Sequence, residues 1–382
     1  MSEQPTPLSV LDLSPIVSGG TASDALRNTI DLAQRTERLG YHRYWVAEHH
    51  LTPGVASAAP AVLIALIAGA TSRIRVGSAA VLLGQHSPLV VAEQFGTIAQ
   101  LHPGRVDLGL GRSGPDRTGD LVRQYADPSG GPAPAGRVVD GLLIPKPRAL
   151  ARSERFLSRI REQQRLLGSP AEELDYRGQV ERILQYLAGG YKSADGEPLR
   201  ANPAEGADLD VWVLGSSAGQ SAATAGALGL PFAANYHVSP STVLETVAAY
   251  RGAFTPSARL PRPHVVVSAD VVVADTEERA RELAAPYGPW VHSIRSGAGA
   301  IPYPSPAEAA EFPWTEQARE LVADRVDTQF VGTPQQVARG LATLRDVTGA
   351  DELVITSVTH DHADRVRSYE LLADAWGLKA RL

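Results

Sequence analysis

The 382-residue chain contains no cysteine, which removes disulfides, thiolate nucleophiles and cysteine-bound zinc or iron–sulfur centres from its chemistry. Any redox work needs a borrowed cofactor. A basic stripe is also missing: 36 Lys and Arg stand against 42 Asp and Glu, with the signs interspersed and a net charge of -6. Nothing therefore marks a nucleic acid or a membrane surface as a partner, and a small molecule is expected instead. No apolar run approaches the length of a bilayer span, and the opening MSEQPTPLSV has no basic segment followed by an apolar one. Both absences point to a cytoplasmic protein. Solenoid-type repeats are absent, as is a GxGxxG after the first apolar run, which counts against a dinucleotide-binding open sheet.

What is present is alternation. With 43% hydrophobic residues the chain can bury a substantial core. Eight β-rich runs, at 8–13, 41–47, 73–83, 104–111, 208–215, 230–236, 264–274 and 350–358, are separated mostly by amphipathic segments. In SDALRNTIDLAQRTERLG, Leu26, Ile30, Ala33 and Leu39 fall near helical spacing and Ser23 can cap the start. Strand and helix repeated eight times predict a (β/α)8 TIM barrel spanning 1–382 as a single domain. Two stretches break the rhythm. Residues 114–190 after the fourth strand carry the Pro/Gly-rich DPSGGPAPAG and then helical patterns; residues 295–330 after the seventh carry RSGAGAIPYPSPAEAAEFPW. Such insertions serve either as lids and pocket walls or as plain surface loops.

A barrel places its site at the C-terminal ends of its strands, and polar residues collect there. Glu48, His49 and His50 follow strand two, Ser87 strand three, Arg112 and Ser113 strand four, GSSAGQSA strand five, Asn235 and His237 strand six, and THDH strand eight. An apolar strand ending at Gly215, with a helix beginning near Ala218, leaves backbone N–H groups and the hydroxyls of Ser216, Ser217 and Ser221 together. That is either an anion site or an ordinary Ser-capped helix. Arg112 favours the anion, since a guanidinium grips phosphate through its planar fork. Adjacent histidines in an extended segment point to opposite sides, so only one of His49 and His50 is expected to face the barrel mouth. A metal held by His49, His360 and His362 is the weaker reading beside surface capping by His360 and His362 and a proton-handling histidine with Glu48 as its orienting carboxylate. No metal is expected. Small residues Ser78, Ala79 and Ala80 inside a bulky strand make room either for a flat ligand or for close helix packing.

YWVAEHHLTPG, IRVGSAAVLL with HSPLVVAEQ, LHPGRVDLGLGRS, LGSSAGQSA, and FVGTPQQVARGL followed by TGADELVIT occur in the order seen in the bacterial luciferase-like flavin-dependent monooxygenases, and the chain resembles that family. The resemblance implies reduced FMN and molecular oxygen, with a C4a-hydroperoxide oxygenating an organic small molecule and a separate NAD(P)H:flavin reductase supplying FMNH2. It makes His49 the proton handler with Glu48 beside it, and puts a non-proline cis peptide at Ala79–Ala80 beneath the flavin. It assigns the phosphate to Arg112 and to the loop of Gly215, Ser216, Ser217 and Ser221. It also implies a homodimer packed through the helices near strands two and three. Gly111 stands where luciferase has a reactive cysteine and Ser87 where it has a second histidine, so neither light emission nor an aldehyde substrate follows. LSVLDLSPI and VTHDHADRVRSYELLADAW look most like an actinobacterial subgroup that includes aromatic polyketide tailoring enzymes. The rivals are an F420-dependent oxidoreductase on the same fold, a non-catalytic flavin-binding protein and a metallohydrolase.

Overall fold

A computed structural model describes residues 6–113, 135–147, 154–168 and 174–379. Eight parallel strands form a closed ring: β1 (Leu8–Asp12), β2 (Arg43–Val46), β3 (Arg75–Ser78), β4 (Val106–Gly111), β5 (Leu209–Gly215), β6 (Phe232–Asn235), β7 (Val265–Val273) and β8 (Glu352–Thr356). Each pairs with its neighbours in chain order, and β8 closes on β1 through Leu353 opposite Leu8. The protein is a TIM barrel, and every one of the eight anticipated runs contains one of its strands.

The helices that follow the strands in turn are α1 (Ala22–Leu39), α2 (Pro60–Ala70), α3 (Pro88–Leu101), α4 (Tyr176–Ala188), α5 (Gln220–Ala227), α6 (Val243–Ala253), α7 (Pro334–Thr348) and α8 (His362–Trp376). In α1 the buried residues Ala25, Thr29, Leu32, Ala33 and Thr36 recur at three- and four-residue spacing, so one stripe packs on the sheet. Thr21, rather than Ser23, caps this helix in a reciprocal box with Asp24, and Gly40 ends it at φ 90, where a side chain would be strained. Such a cap contributes about 1 kcal/mol.

The first break in the rhythm holds a hairpin, Arg137–Val139 with Leu142–Ile144, and a helix Glu154–Leu167; most of DPSGGPAPAG lies outside the described residues. The second, after β7, holds helices Pro306–Ala310 and Glu316–Val326. It follows two further helices, Glu277–Ala284 and Tyr287–Arg295. Among the described residues no helix is long and apolar enough to cross a membrane.

Because side chains alternate along a strand, the barrel interior is layered. The lowest layer is charged. Arg43 donates to both oxygens of Asp107 at 2.9 and 3.0 Å and to both of Glu352 at 3.1 Å; Arg75 reaches Asp107 and Asp210, and Ser9 donates to Glu352. Above it lie Leu11, Trp45, Trp212, Val266 and Val354. The two indoles meet edge to face at 5.2 Å, and Arg43 lies 4.6 Å from the Trp212 ring. Gly77 is required here: a Cβ would come within 3.0 Å of Trp45 and closer still to Asp107.

Burial alone would raise Asp107, but Arg43 and Arg75 outweigh it and hold the carboxyl below its ordinary 3.8. Its contribution to stability is therefore present above the ordinary carboxylate range and lost as pH falls through the lowered folded value. Arg43→Met removes the cation shared by two buried carboxylates, leaving Glu352 with only Ser9 and Asp107 with Arg75 and Trp45, and is expected to cost about 3–5 kcal/mol in urea unfolding at neutral pH, with part of the acid sensitivity removed along with it. A loss of less than about 1 kcal/mol would count against the cluster as the interior's anchor.

Candidate active site

A cavity of about 480 Å³ opens above the two tryptophans, at the C-terminal ends of the strands, within the size range of small-molecule sites. Its wall includes His49, Ala79, Ala80, Arg112, Gly215 and Ser216. Sequence reasoning thus placed six residues on one surface. Glu48, Ser217 and Ser221 are not on that wall.

The two-residue period explains the behaviour of the strand-two motif. Arg43, Trp45, Ala47 and His49 face inward, and Glu48 is turned away with its carboxylate buried. Glu48 does not orient His49. Its Oε1 contacts Nε2 of His50 at 2.7 Å and of His86 at 2.6 Å, and its Oε2 accepts from the Leu82 N–H at 2.7 Å. Burial would raise this carboxyl, but the bonds from His50, His86 and Leu82 bring it down to about 2. An anionic Glu48 therefore clamps the loop after β2 to the segment after β3. These three side chains come close enough to hold an ion, yet both contacts are hydrogen-bond lengths that one carboxylate oxygen accepts without one. His360 and His362 lie elsewhere, on the Ser18 carbonyl at 3.1 Å and on Asp31 at 2.8 Å, as surface-capping groups.

His49 is different. Burial pushes its imidazole down to about 4, with Glu48 pulling up and His50 pushing down, so it is neutral near neutral pH. Its backbone N–H is held by the Ser57 carbonyl at 2.9 Å, while its buried Nδ1 has no partner. A buried nitrogen without a partner in a cavity wall invites a ligand or a water.

The Ala79–Ala80 peptide is cis. It separates β3 from the two-residue strand Val81–Leu82, which pairs with β4. Gly111 permits this approach, since a Cβ there would meet Ala80 Cβ at 3.0 Å.

Next along the wall, after β4 and β5, stand Arg112, Gly215 and Ser216. The helix after β5 begins at Gln220 rather than near Ala218, with Gly219 before it and no side-chain hydrogen bond capping it. No serine serves as the cap. Ser221 is buried in the first turn, packed beside Gly215, where a Cβ would also sit 2.9 Å from Phe232. The backbone N–H groups at this helix start are consequently not capped by a serine, and Arg112 Nη1 reaches the same turn through Gln220 Oε1 at 3.4 Å. A guanidinium beside an N-terminal turn is suited to an anion.

Of the wall contributed by β6, β7 and the segments after β7, the sequence pointed only to Asn235 and His237 after strand six. His237 Nδ1 lies 2.5 Å from Ser268 Oγ, and burial pushes its ring down to about 3. Asp270, Trp290 and Arg325 complete that wall. A signal did exist for part of it: in the valine-rich VVVSADVVV, Ser268 and Asp270 occupy alternate, same-side positions. Arg325, on a helix from the insertion, offered none. Arg159, on the helix of the first insertion, donates to the carbonyls of Leu51, at 2.7 Å, and Ala298, bridging both sides of the mouth.

Comparison with known proteins gives a family match to the luciferase-like monooxygenases over residues 7–352. The Bacillus subtilis protein YvbT is 40% identical over 374 residues, 97% of each chain. A luciferase-like monooxygenase of Escherichia coli K12 is 34% identical over 378 residues, 98% of each. The crystal structure of apo-MsnO8 superposes with a TM-score of 0.76 at 32% identity, covering 99% of both chains. Two more distant structures share the fold alone. One is the oxygenating constituent of 3,6-diketocamphane monooxygenase from Pseudomonas putida in complex with FMN (18% identity, TM-score 0.59, 99% of each chain). The other is an F420-dependent secondary alcohol dehydrogenase (13%, 0.61, 98% and 100%).

With its folded pKa near 4 against the ordinary 6.5, His49 favours folding most above that ordinary value, and the advantage is lost as pH falls toward 4. Histidine-selective nitrogen-15 NMR is expected to find His49 still neutral at pH values well below the ordinary 6.5. A titration midpoint of His49 at or above 6.5 would overturn the assignment.

Proposed function

The chain belongs to the luciferase-like monooxygenase family, and from that premise we propose that it is a two-component monooxygenase using reduced FMN and molecular oxygen on an organic small molecule. The observation that carries this reading is a cavity whose wall holds a guanidinium beside a helix start that no serine caps, together with a neutral imidazole and small side chains. Arg112 and the N–H groups near Gly215 to Gln220 would hold the FMN phosphate, and Ala79 and Ala80 would leave a flat face for the ring. When bound, the reduced flavin supplies the electrons that activate oxygen, one atom of which enters the substrate while the other leaves as water. His49 Nδ1 would hold or accept the proton that this chemistry moves. The apolar floor of Leu11 and Trp45 excludes water.

In this reading a separate NAD(P)H:flavin reductase delivers the cofactor to a cytoplasmic homodimer, and the insertions form a lid tied down by Arg159. The substrate is a secondary metabolite such as a polyketide. The dimer has a surface to use. α2 contains no charged residue, and Val62 and Leu66, four residues apart on it, are 63% and 56% exposed; Leu89 and Val90 at the start of α3 extend the apolar face.

Two measurements follow. Arg112→Ala is expected to weaken anaerobic binding of reduced FMN by about 1.5–3 kcal/mol, the range for hydrogen bonds to a charged group, while leaving reduced riboflavin nearly unchanged. Equal weakening of the two would defeat the phosphate assignment, and preferential binding of F420 would move the reading to hydride transfer. Sedimentation of a Val62→Asp, Leu66→Asp double variant should show monomers where the wild type is dimeric; a wild type that sediments as a monomer would remove the dimer from the proposal.

A further inference from the structure

The cavity contains two buried or half-buried guanidiniums, and the flavin reading uses only one. Arg325 comes from the last turn of the helix Glu316–Val326 and is 8% exposed, yet it lines the wall opposite the β2 and β3 side. Its Nε and Nη2 donate to the Tyr287 hydroxyl at 3.0 and 2.7 Å, and Nη2 lies 3.4 Å from Asp270 Oδ2. No bond in this group uses Nη1. The Tyr287 hydroxyl in turn donates to Asp270. The adjacent acid, Asp324, is occupied by Arg295 through both of its oxygens. Trp290, 5% exposed, lines the same cavity and shares Tyr287 as a neighbour with Arg325, their distances to that ring being 6.1 and 5.6 Å, and its buried Nε1 has no partner.

Two donors on this wall, Arg325 Nη1 and Trp290 Nε1, have no hydrogen bond among the described residues. Asp270 pairs with the guanidinium on its Nη2 side only, its Oδ2 lying 3.4 Å from Nη2 and also taking the Tyr287 hydroxyl, so Nη1 is left for a ligand; burial raises this acid above its ordinary value, with Arg325 pulling it part of the way back. His237, half-buried and with its ring pushed down to about 3, adds no charge near neutral pH. Leu13, Val238, Ile294 and Trp290 give the cavity apolar surface as well. A buried cation beside an unpartnered N–H is the arrangement that recognises an anionic oxygen, since an unfilled donor of this kind is costly to leave unmet.

We propose that Arg325 and Trp290 form the substrate's polar subsite, and that the substrate is an apolar molecule bearing one anionic oxygen, as carboxylate or phenolate, whose body lies against Ile294 and Trp290. Asp270 and Tyr287 are positioning residues that fix the guanidinium. The assignment rests on the monooxygenase reading for what happens to the ligand, but not for its binding.

The test is calorimetric titration of the flavin-free protein with phenylbutyrate, its neutral methyl ester and nitrophenolate, with reduced FMN binding measured separately. Wild type should prefer phenylbutyrate or nitrophenolate to the ester by about tenfold or more, one 1.4 kcal/mol step in affinity, and the better of the two anions identifies the oxygen. Arg325→Met should abolish that preference, Arg325→Lys should restore part of it, and Trp290→Phe should reduce it without touching FMN affinity. Equal binding of ester and anions, no binding of any probe, or a preference that survives Arg325→Met overturns the subsite. So does loss of FMN affinity in Arg325→Lys, which would place Arg325 with the cofactor. Should Arg325→Met fail to fold, the wild-type comparison with Arg325→Lys and Trp290→Phe still decides. Anion preference without FMN binding leaves the subsite standing and removes the monooxygenase reading; the reverse result removes only the subsite.

Discussion

The guanidinium of Arg43 lies in the lower interior of the barrel, gripped by Asp107 from β4 and Glu352 from β8. A buried cation with two carboxylate partners is satisfied only when the strands bearing them stand at the right height, so it pins the register of β2 against both sides of the ring. Everything above inherits that register. Trp45 sits two residues further up, Ala47 two more and His49 two more, each facing inward. A slip of one residue would turn Arg43 toward the helices, bring Glu48 into the cavity and take His49 out of it. The lowest layer of the barrel thus decides which side chain meets the ligand at its upper end.

That dependence also separates what was legible in the sequence from what was not. The ring of strands could be read because each is an apolar run bounded by turn residues, and the inward-facing half of EHH because the period of two is local. The partner of Glu48 could not be read: its contacts with His86 and Leu82 span more than thirty residues and are made only when the β3 segment returns beside β2. The serine-rich loop misled in a specific way. Serines before a helix are good caps in general, but here the chain stays non-helical until Gln220 and Ser221 turns into the core, which leaves the helix start without a serine cap. Arg325 was invisible for a further reason. An arginine on an amphipathic helix reads as a solvated face, and only the packing of an insertion against β7 buries it.

The site is electrically divided. Arg112 and Arg325, the latter paired with Asp270, mark its walls, while His49 and His237 are held neutral by burial. Neutral rings can take up or release a proton without first dismissing a counter-ion, and the separated cations give a two-ended ligand a preferred direction. Glu48, although adjacent in sequence, works from outside the cavity as a clamp, and its charge reaches His49 as a modest upward pull on an imidazole that burial dominates.

The indoles of Trp45 and Trp212 meet edge to face, with Trp45 reaching the cavity wall. This gives the molecule an optical property that has nothing to do with its stability. A bound chromophore whose absorption overlaps indole emission would lie within a few ångströms of a donor held in one orientation, and excitation would pass to it rather than be emitted. The barrel floor would then darken when the cavity fills, so occupancy could be followed by light without attaching any label.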